Sequence, residues 1–298
     1  MNTRKLWIAF SLFVITVFSQ VAFAQGLNWE GQTGALITPF AYTASSPARK
    51  FGKPEVSFHY LNSGDVIGND YQFSITEGFA KRFEVGYTAA FSSAGNSPLS
   101  YLFSNGFNEF HGKVTIVDEN ARKTKWVPAI AVGALGRTGV QRVGQVVKYW
   151  NGANPAASKS TTNGDFYIVA TKTVTQFKVP FLLSVGEKVT NASVFGVAGN
   201  SPSWRGRLFG TAAVVVKGPA KSLVVLGSEV SQQPRYVEGL GTGATIPTSL
   251  GYFVRVVPHL EGAPLQLDLG VAQLAGKIAP GVDLQARARV GMGISYHF

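Results

Sequence analysis

Apolar and polar side chains alternate along the C-terminal end of the chain. Every second residue, which is one parity of the segment, is apolar: Leu284, Ala286, Ala288, Val290, Met292, Ile294, Tyr296 and Phe298. The residues between them, the other parity, are polar or glycine. Because successive side chains of a strand point to opposite faces, the pattern predicts a strand with one wholly apolar face. About 9–11 residues cross a bilayer at the tilt of a membrane strand, so this strand is long enough to do so.

The same period of two recurs along most of the preceding chain. It is clear in seven segments, at about 55–60, 71–76, 83–91, 109–116, 178–185, 252–259 and 265–271. Four further strands are predicted at roughly 125–137, 163–175, 203–217 and 221–231, where both faces hold apolar residues and the phase is ambiguous. With the C-terminal segment these make twelve strands, although divisions into ten to fourteen strands also fit the pattern.

The links between these strands alternate in length. Short links fall near 80–81, 118–124, 175–176, 218–220 and 261–262, and longer links fall near 61–69, 93–106, 138–162, 190–202, 232–248 and 275–283. Bacterial outer-membrane barrels have short periplasmic turns and longer loops on the outside. The pattern therefore predicts an all-β fold, an antiparallel transmembrane β-barrel over residues 53–298. An even number of strands predicts that both termini lie in the periplasm.

Composition separates this barrel from the main alternative, a secreted β-sandwich or soluble barrel, whose strands alternate in the same way. Charged residues make up only 14% of the chain, against about 25% in soluble domains, and this favours a lipid-facing exterior. A spanning sheet must close on itself, because lipid offers no partner for an unpaired strand edge. The chain has no cysteine, which excludes disulfides, a thiolate metal site and a lipidated N-terminal cysteine.

Residues 1–24 have the pattern of a secretory signal peptide. Arg4 and Lys5 precede an apolar run, and Ala22-Phe-Ala24 supplies a cleavage site. The alternative, an uncleaved membrane helix, fits the length of the run but not the cleavage pattern. Residues 25–52 contain one more strand-like stretch, at 35–42. A thirteenth strand would make the count odd, whereas bacterial single-chain barrels are even-numbered. We therefore interpret residues 25–52 as a periplasmic lead-in or a plug within the lumen.

The end of the chain, Val290-Gly-Met-Gly-Ile-Ser-Tyr-His-Phe298, resembles the C-terminal strand of bacterial outer-membrane β-barrel proteins. That class commonly ends in Phe, with Tyr or another hydrophobic residue two positions earlier. The resemblance implies that Tyr296 and Phe298 belong to a signal recognised by the barrel-assembly machinery during biogenesis. It covers the signal peptide, the final strand and the general pattern, and it identifies no subfamily.

The inward parity of the strands carries most of the candidate functional residues. The set comprises Glu55, His59, Glu84, Glu109, His111, Lys113, Lys178, Arg255, His259, Asp268, Arg287 and Arg289. We predict that these side chains line the lumen. Arg287 and Arg289 would form a positive ladder on one strand, and rings of Arg or Lys favour anions. In the alternative interpretation, opposite charges pair across the lumen and seal it, since side chains can largely fill a barrel of this size.

Enzymatic chemistry has little support in the sequence. Ser57 with His59, and Ser295 with His297, are the candidate nucleophile–base pairs of a barrel lipase. Both pairs are predicted to point inward, away from lipid, and antiparallel pairing places the two histidines toward opposite ends of the barrel. The four histidines are scattered over four strands, which argues against a metal site. We therefore predict no enzyme, no metal and no cofactor.

The net charge is +11, and removal of Arg4 and Lys5 with the signal peptide would leave +9. Such a balance indicates anionic lipid head groups or an anionic solute rather than nucleic acid, which an exported protein rarely meets. The first hypothesis is a passive, porin-like outer-membrane channel for small, anionic solutes. The second is a closed structural or interaction barrel that contacts surface polysaccharide or an envelope partner, and a barrel lipase is the third. Outer-membrane lipid and the barrel-assembly machinery are the expected partners, and the oligomeric state stays open.

Overall fold

A computed structural model of the protein describes residues 26–103, 106–150, 160–241, 245–258, 264–278 and 287–298. Its main element is a closed barrel of twelve antiparallel strands, which confirms the predicted fold class. Two short strands, β1 (Gly26–Leu27) and β2 (Thr33–Gly34), precede the barrel and pair with each other. The barrel strands are β3 (Glu55–Asn62), β4 (Gly68–Phe79), β5 (Phe83–Ala94), β6 (Phe107–Val117), β7 (Ala129–Thr138), β8 (Thr162–Val174), β9 (Phe181–Ala192), β10 (Asn200–Lys217), β11 (Leu223–Ser231), β12 (Ser249–Val257), β13 (Leu265–Leu274) and β14 (Arg289–His297).

Each barrel strand pairs with its neighbours in the chain, and β14 pairs with β3 to close the sheet. Closure leaves no unpaired strand edge, which is the condition for crossing lipid. Strand β14 is shorter than the alternation from Leu284 predicted. It begins at Arg289, because Arg287 lies in a bend before it, and residues 284–286 are outside the described residues.

The links sort into two ends of the barrel. Among the described residues, the long-loop end contains 63–67, 95–103, 106, 139–150, 160–161, 193–199, 232–241, 245–248, 275–278 and 287–288, and the short-turn end contains 80–82, 118–128, 175–180, 218–222, 258 and 264. The links include helices α1 (Gly64–Ile67) and α2 (Val143–Trp150) and the 3-10 turns Pro98–Leu102, Ala121–Lys123 and Pro219–Lys221. No helix in the described ranges is both long and apolar enough to cross a bilayer.

The outer face of the barrel is apolar and the inner face is largely polar. In β14, Met292 and Ile294 point outward and are exposed, whereas Ser295 is buried inside. In β4 the same alternation places Phe73 outward and Gln72 inward. Exposed aromatic side chains also surround the short-turn end, among them Phe51, Trp126, Phe177 and Phe298. An apolar belt flanked by aromatic residues is the exterior that a bilayer requires of a transmembrane barrel.

Residues 26–44, which we call the inner segment, run through the inside of the barrel. Every residue from 26 to 41 is buried. Trp29 and Phe40 belong to an apolar cluster with inward residues of the wall such as Val225 and Phe253. Ala41 packs in a second cluster with inward residues of β7, β8 and β10. The lumen is therefore filled by a stretch of the chain that is not itself part of the barrel wall.

Candidate functional site in the barrel lumen

Glu229 of β11 holds the middle of the inner segment. Its carboxylate accepts the backbone N–H groups of Leu36 (2.8 Å), Ile37 (3.1 Å) and Thr38 (2.8 Å). The Thr38 hydroxyl also donates to Glu229 at 2.6 Å and contacts the hydroxyl of Thr211 on β10. The carboxylate is buried, so these donors replace the water it loses. Hydrogen bonds to an ionised group are among the stronger ones in proteins.

Glu84 of β5 anchors the segment at two further points. It accepts the backbone N–H of Thr33 (3.1 Å) and of Ala44 (2.7 Å), and the Thr33 hydroxyl donates to it at 2.5 Å. Lys113 on the adjacent strand forms an ion pair with Glu84 at 2.9 Å and donates to the Thr33 carbonyl at 3.0 Å. One buried ion pair of the wall thus contacts both polar groups of the Thr33 backbone.

Arg255 and Asp268 form a third anchor on β12 and β13. The guanidinium donates to both oxygens of Asp268, at 2.7 and 3.0 Å. Its remaining donors reach the backbone carbonyls of Gly34 (2.9 Å) and Ala35 (3.0 Å) in the inner segment. Asp268 fixes the guanidinium in place, and the guanidinium satisfies carbonyls that would otherwise be buried without partners.

The fourth anchor is centred on Arg137 of β7. Its guanidinium donates to Glu109 at 2.7 Å, to Asp165 at 2.8 Å and to Glu30 of the inner segment. Three carboxyl groups therefore surround one arginine, and all of them are buried. Burial raises the pKa of Glu30, opposed by the nearby guanidinium of Arg137.

The inner segment packs closely against the wall beside the fourth anchor. A void of about 10 Å³ lies between them beside Gln32, Thr38 and Tyr167, about the room that one water molecule needs. The Tyr167 hydroxyl of β8 donates to the side chain of Gln32. In this arrangement charged side chains of the wall bind the inner segment.

A larger cavity of about 480 Å³ lies at the long-loop end, above the inner segment. Trp29, Leu36 and Ile37 of the inner segment line its floor, and side chains of the long loops line the rest. Most of this lining is apolar, with Arg287 and Arg289 among the few charged groups.

The structure places the predicted lumen residues in three groups. Eight are buried inside the barrel: Glu55, His59, Glu84, Glu109, His111, Lys113, Arg255 and Asp268. Arg289 is half-buried at the start of β14, and Arg287 is exposed in the bend before it. The predicted inward ladder of these two arginines is therefore corrected to a pair at the long-loop end. His259 lies outside the described residues.

Lys178 is not a lumen residue. It is exposed in the link 175–180, and β9 begins only at Phe181. The alternation of the sequence continues into this turn, but a side chain in a turn no longer follows the two faces of the sheet.

Sequence reasoning did not find Arg137, Asp165, Glu229 and Glu30. The first three lie on β7, β8 and β11, whose phase was ambiguous because apolar residues occupy both faces. A signal was present, since a charged residue on a predominantly apolar membrane strand has strong reason to point inward. Glu30 lies in the inner segment, for which the sequence predicted no contacts.

The proposed nucleophile–base pairs of a lipase are not assembled. Ser57 and Ser295 face each other across β3 and β14, and neither hydroxyl has a hydrogen-bond partner. The ring of His59 is buried against Trp29. Among the described residues, no group of three or more histidine or acidic side chains is arranged to hold a metal ion. Tyr296 and Phe298 lie at the short-turn end with their ring centroids 5.0 Å apart.

The closed antiparallel sheet, apolar exterior and filled polar lumen define the class as a twelve-stranded transmembrane β-barrel. No family model and no curated protein matches the sequence. The fold is similar to that of the COG4313 outer membrane channel from Pseudomonas putida F1, with a TM-score of 0.52, 8% identity, and coverage of 88% of this chain and 100% of that one. At this identity the likeness establishes the fold alone.

Two further solved barrels have lower structural similarity. The NanC porin has a TM-score of 0.44 and 10% identity, covering 82% of this chain and 98% of that one. Omp33 of Acinetobacter baumannii has a TM-score of 0.42 and 6% identity, covering 83% and 99%.

Proposed function

We propose that the protein is a bacterial outer-membrane barrel that acts as a passive channel for small solutes, with the inner segment as its gate. The observation that most directly supports this proposal is that polar side chains of the wall have their hydrogen-bond partners on a separate stretch of the chain. Glu229 and Arg255, for example, bind the backbone of residues 34–38. Removal of the segment would leave a wall with charged side chains, which water can solvate, as in the lumen of porins.

The same proposal includes the orientation of the barrel and its solute preference. Outer-membrane barrels carry their longer loops on the outside, so the long-loop end faces the exterior and both termini face the periplasm. Solutes from outside then first meet the end that carries Arg287 and Arg289. Fixed positive charge at a channel entrance raises the local concentration of anions, and we propose a preference for anionic solutes on this basis.

A reversible disulfide tests the gate. The hydroxyls of Thr38 and Thr211 are in contact, so the variant Thr38→Cys/Thr211→Cys brings two thiols within bonding distance. The chain contains no other cysteine. In planar bilayers we expect the oxidised variant to stay closed and the reduced variant to show discrete conductance steps. Deletion of residues 26–44 should give steps that no longer depend on redox state.

The matched control joins two wall strands at a pair that has no hydrogen bond to the gate. Ser57 and Ser295 are directly paired on β3 and β14, and neither hydroxyl has a hydrogen-bond partner. The oxidised variant Ser57→Cys/Ser295→Cys should conduct as the reduced one does. Steps that persist in the oxidised Thr38–Thr211 variant would refute the gate.

A closed structural or interaction barrel is the second candidate function, and the extent of lumen filling favours it. Its distinguishing outcome is a folded, inserted barrel that never conducts, in either redox state and with residues 26–44 deleted. For a barrel that conducts, the reversal potential under a salt gradient tests the anion preference. We expect Arg287→Gln/Arg289→Gln to shift the reversal potential toward that of a cation-selective channel. An unchanged reversal potential would contradict a role of these arginines in selectivity.

A further inference from the structure

The cavity at the long-loop end is partly covered by the long loops. Its roof is an apolar cluster of loop residues, which includes Leu102, Phe103, Val143, Ala198, Val237 and Ile246. These residues come from four different links of the long-loop end. Loops that only face water have no reason to build a shared apolar core. Here they fold together over the mouth of the barrel and leave a chamber above the inner segment.

The size and lining of the chamber suit a small molecule. Its volume of about 480 Å³ lies within the roughly 300–1,000 Å³ of ligand pockets, which are mostly apolar with a few placed polar groups. Apolar cavities hold water poorly and accept apolar ligands. The apolar body of a ligand would lie between Trp29 and Ile37 on the floor and Phe103 on the roof.

Polar groups are few in the chamber. The hydroxyl of Ser249 is buried and has no hydrogen-bond partner, although it lines the cavity. A buried polar atom without a partner is costly, so a ligand that supplies a hydrogen bond here would be stabilised.

The charged groups of the chamber are predominantly positive. Arg287 and Arg289 line it, and the carboxylate among the lining residues is Asp70. That carboxylate already accepts hydrogen bonds from the hydroxyls of Ser63 (2.5 Å) and Ser92 (2.7 Å). With two guanidinium groups and one carboxylate, the charged lining of the chamber carries an excess of positive charge.

We propose that this chamber binds an amphipathic monoanion, a molecule with one acidic head group and an apolar body. The head group lies at Arg287 and Arg289, and the body lies against Trp29, Leu36 and Ile37. As an assignment of the transported substrate class this rests on the proposed channel, but binding itself requires no conduction. Because the inner segment forms the floor, the bound molecule contacts the gate directly.

Trp29 provides a local reporter of binding. A variant with Trp126, Trp150 and Trp204 replaced by Phe, produced without residues 1–24, retains Trp29 as its only tryptophan. The barrel is reconstituted in nanodiscs and titrated with 12-bromododecanoic acid, since bromine quenches tryptophan only at short range. We expect saturable quenching that unbrominated dodecanoic acid reverses. Quenching that rises linearly, as for partitioning into the lipid, would overturn the proposal.

Two kinds of variant separate the apolar and ionic contributions. Ala272→Phe on β13 and Ala198→Phe in the roof each place a ring into the cavity and should abolish saturable quenching. Arg287→Gln/Arg289→Gln should weaken binding of dodecanoic acid at least about tenfold, because a charge-assisted contact is lost, and leave dodecanol unchanged. Arg142→Gln, an exposed residue at the same end, is the matched control. Equal binding of acid and alcohol to the parent protein would overturn the anionic part.

The binding and gating tests fail independently. If the oxidised Thr38–Thr211 variant binds the acid but reduction never gives conductance, ligand binding in the chamber is supported and the channel function is refuted. If reduction gives conductance but Trp29 is never quenched saturably, the channel function is supported and ligand binding in the chamber is refuted.

Discussion

Glu229→Gln should release the inner segment while leaving the barrel intact. The substitution retains one carbonyl oxygen but removes the negative charge and turns an amide NH₂ toward N–H donors. If the retained oxygen faces Leu36 and Ile37, the backbone N–H and the hydroxyl of Thr38 lose their acceptor, at present 2.8 and 2.6 Å away. Each hydrogen bond to a charged group contributes about 1.5–3 kcal/mol. The Thr38 hydroxyl still has Thr211 as a partner, so we expect docking to weaken by about 3 kcal/mol.

This loss corresponds to a roughly 100-fold increase in the undocked fraction, since about 1.4 kcal/mol is a factor of ten. Ala35→Cys provides the assay, because Ala35 is fully buried and the chain has no other cysteine. A membrane-impermeant thiol reagent reacts with Cys at position 35 only when the segment undocks. If undocking is fast compared with labelling, the labelling rate follows the undocked fraction.

The control is Glu77→Gln, the same substitution on the outward parity of β4. Heat-dependent mobility on electrophoresis verifies that each barrel remains folded. A labelling rate of Glu229→Gln within about threefold of its parent would refute the reasoning, because it would mean that Glu229 contributes less than a single hydrogen bond.

Four further predictions follow from the same contacts and faces. Because burial raises the pKa of Glu30, the contribution of this residue to docking should be fully present below the ordinary carboxyl range and be lost as the pH rises through the raised value; labelling at position 35, corrected for thiolate content, should therefore accelerate more steeply with pH in the parent than in Glu30→Gln. Gly31 has φ +77°, and a Cβ there would lie 2.4 Å from the Thr88 hydroxyl, so Gly31→Val should increase labelling about tenfold or more, whereas Gly136→Ala, which meets nothing within 4 Å, should not. Leu269→Arg on the exposed outer face should cost about 2–4 kcal/mol near the bilayer midplane and lower the refolding yield in vesicles; a yield equal to that of Asn69→Arg at the long-loop end would contradict a lipid-facing position. Deletion of Phe298 should lower the amount of assembled barrel in cells, and unchanged assembly would refute its role in the assembly signal.

The strand pattern was predictable where the two sides of the wall differ most. In β3, Val56 and Phe58 face outward, and Glu55, Ser57 and His59 face the lumen, so the alternation is visible in the sequence. Lipid outside and polar contacts inside impose opposite requirements on neighbouring residues, and the resulting alternation clearly predicted eight of the twelve strands.

The phase was ambiguous on the other four strands for a physical reason. The inward faces of β7, β8, β10 and β11 include apolar residues such as Ala131, Val169 and Val225, which pack in clusters with the inner segment. An inner face that contacts apolar residues of a plug resembles an outer face that contacts lipid. The sequence of the wall could not reveal this without knowledge of what fills the lumen.

The anchors were less predictable than the wall because many of them involve backbone groups. Glu229 and Arg255 bind N–H and C=O groups of residues 34–38. Almost every residue type carries these same backbone groups, so the sequence does not mark residues 34–38 as partners. The wall residues could be identified as inward and charged, but their partners could not.

The position of the inner segment also constrains the order in which the protein assembles. Leu36 meets Glu229 across 193 residues of sequence, and Gly34 meets Arg255 across 221. Contacts between such distant residues form late, because the intervening chain must first be brought together. The ring around the segment closes only when β14, the last strand, pairs with β3. We therefore expect biogenesis to pass through a stage in which most of the wall is built while the segment is still unanchored, so that the chain completes its wall around residues that it synthesised before the first barrel strand.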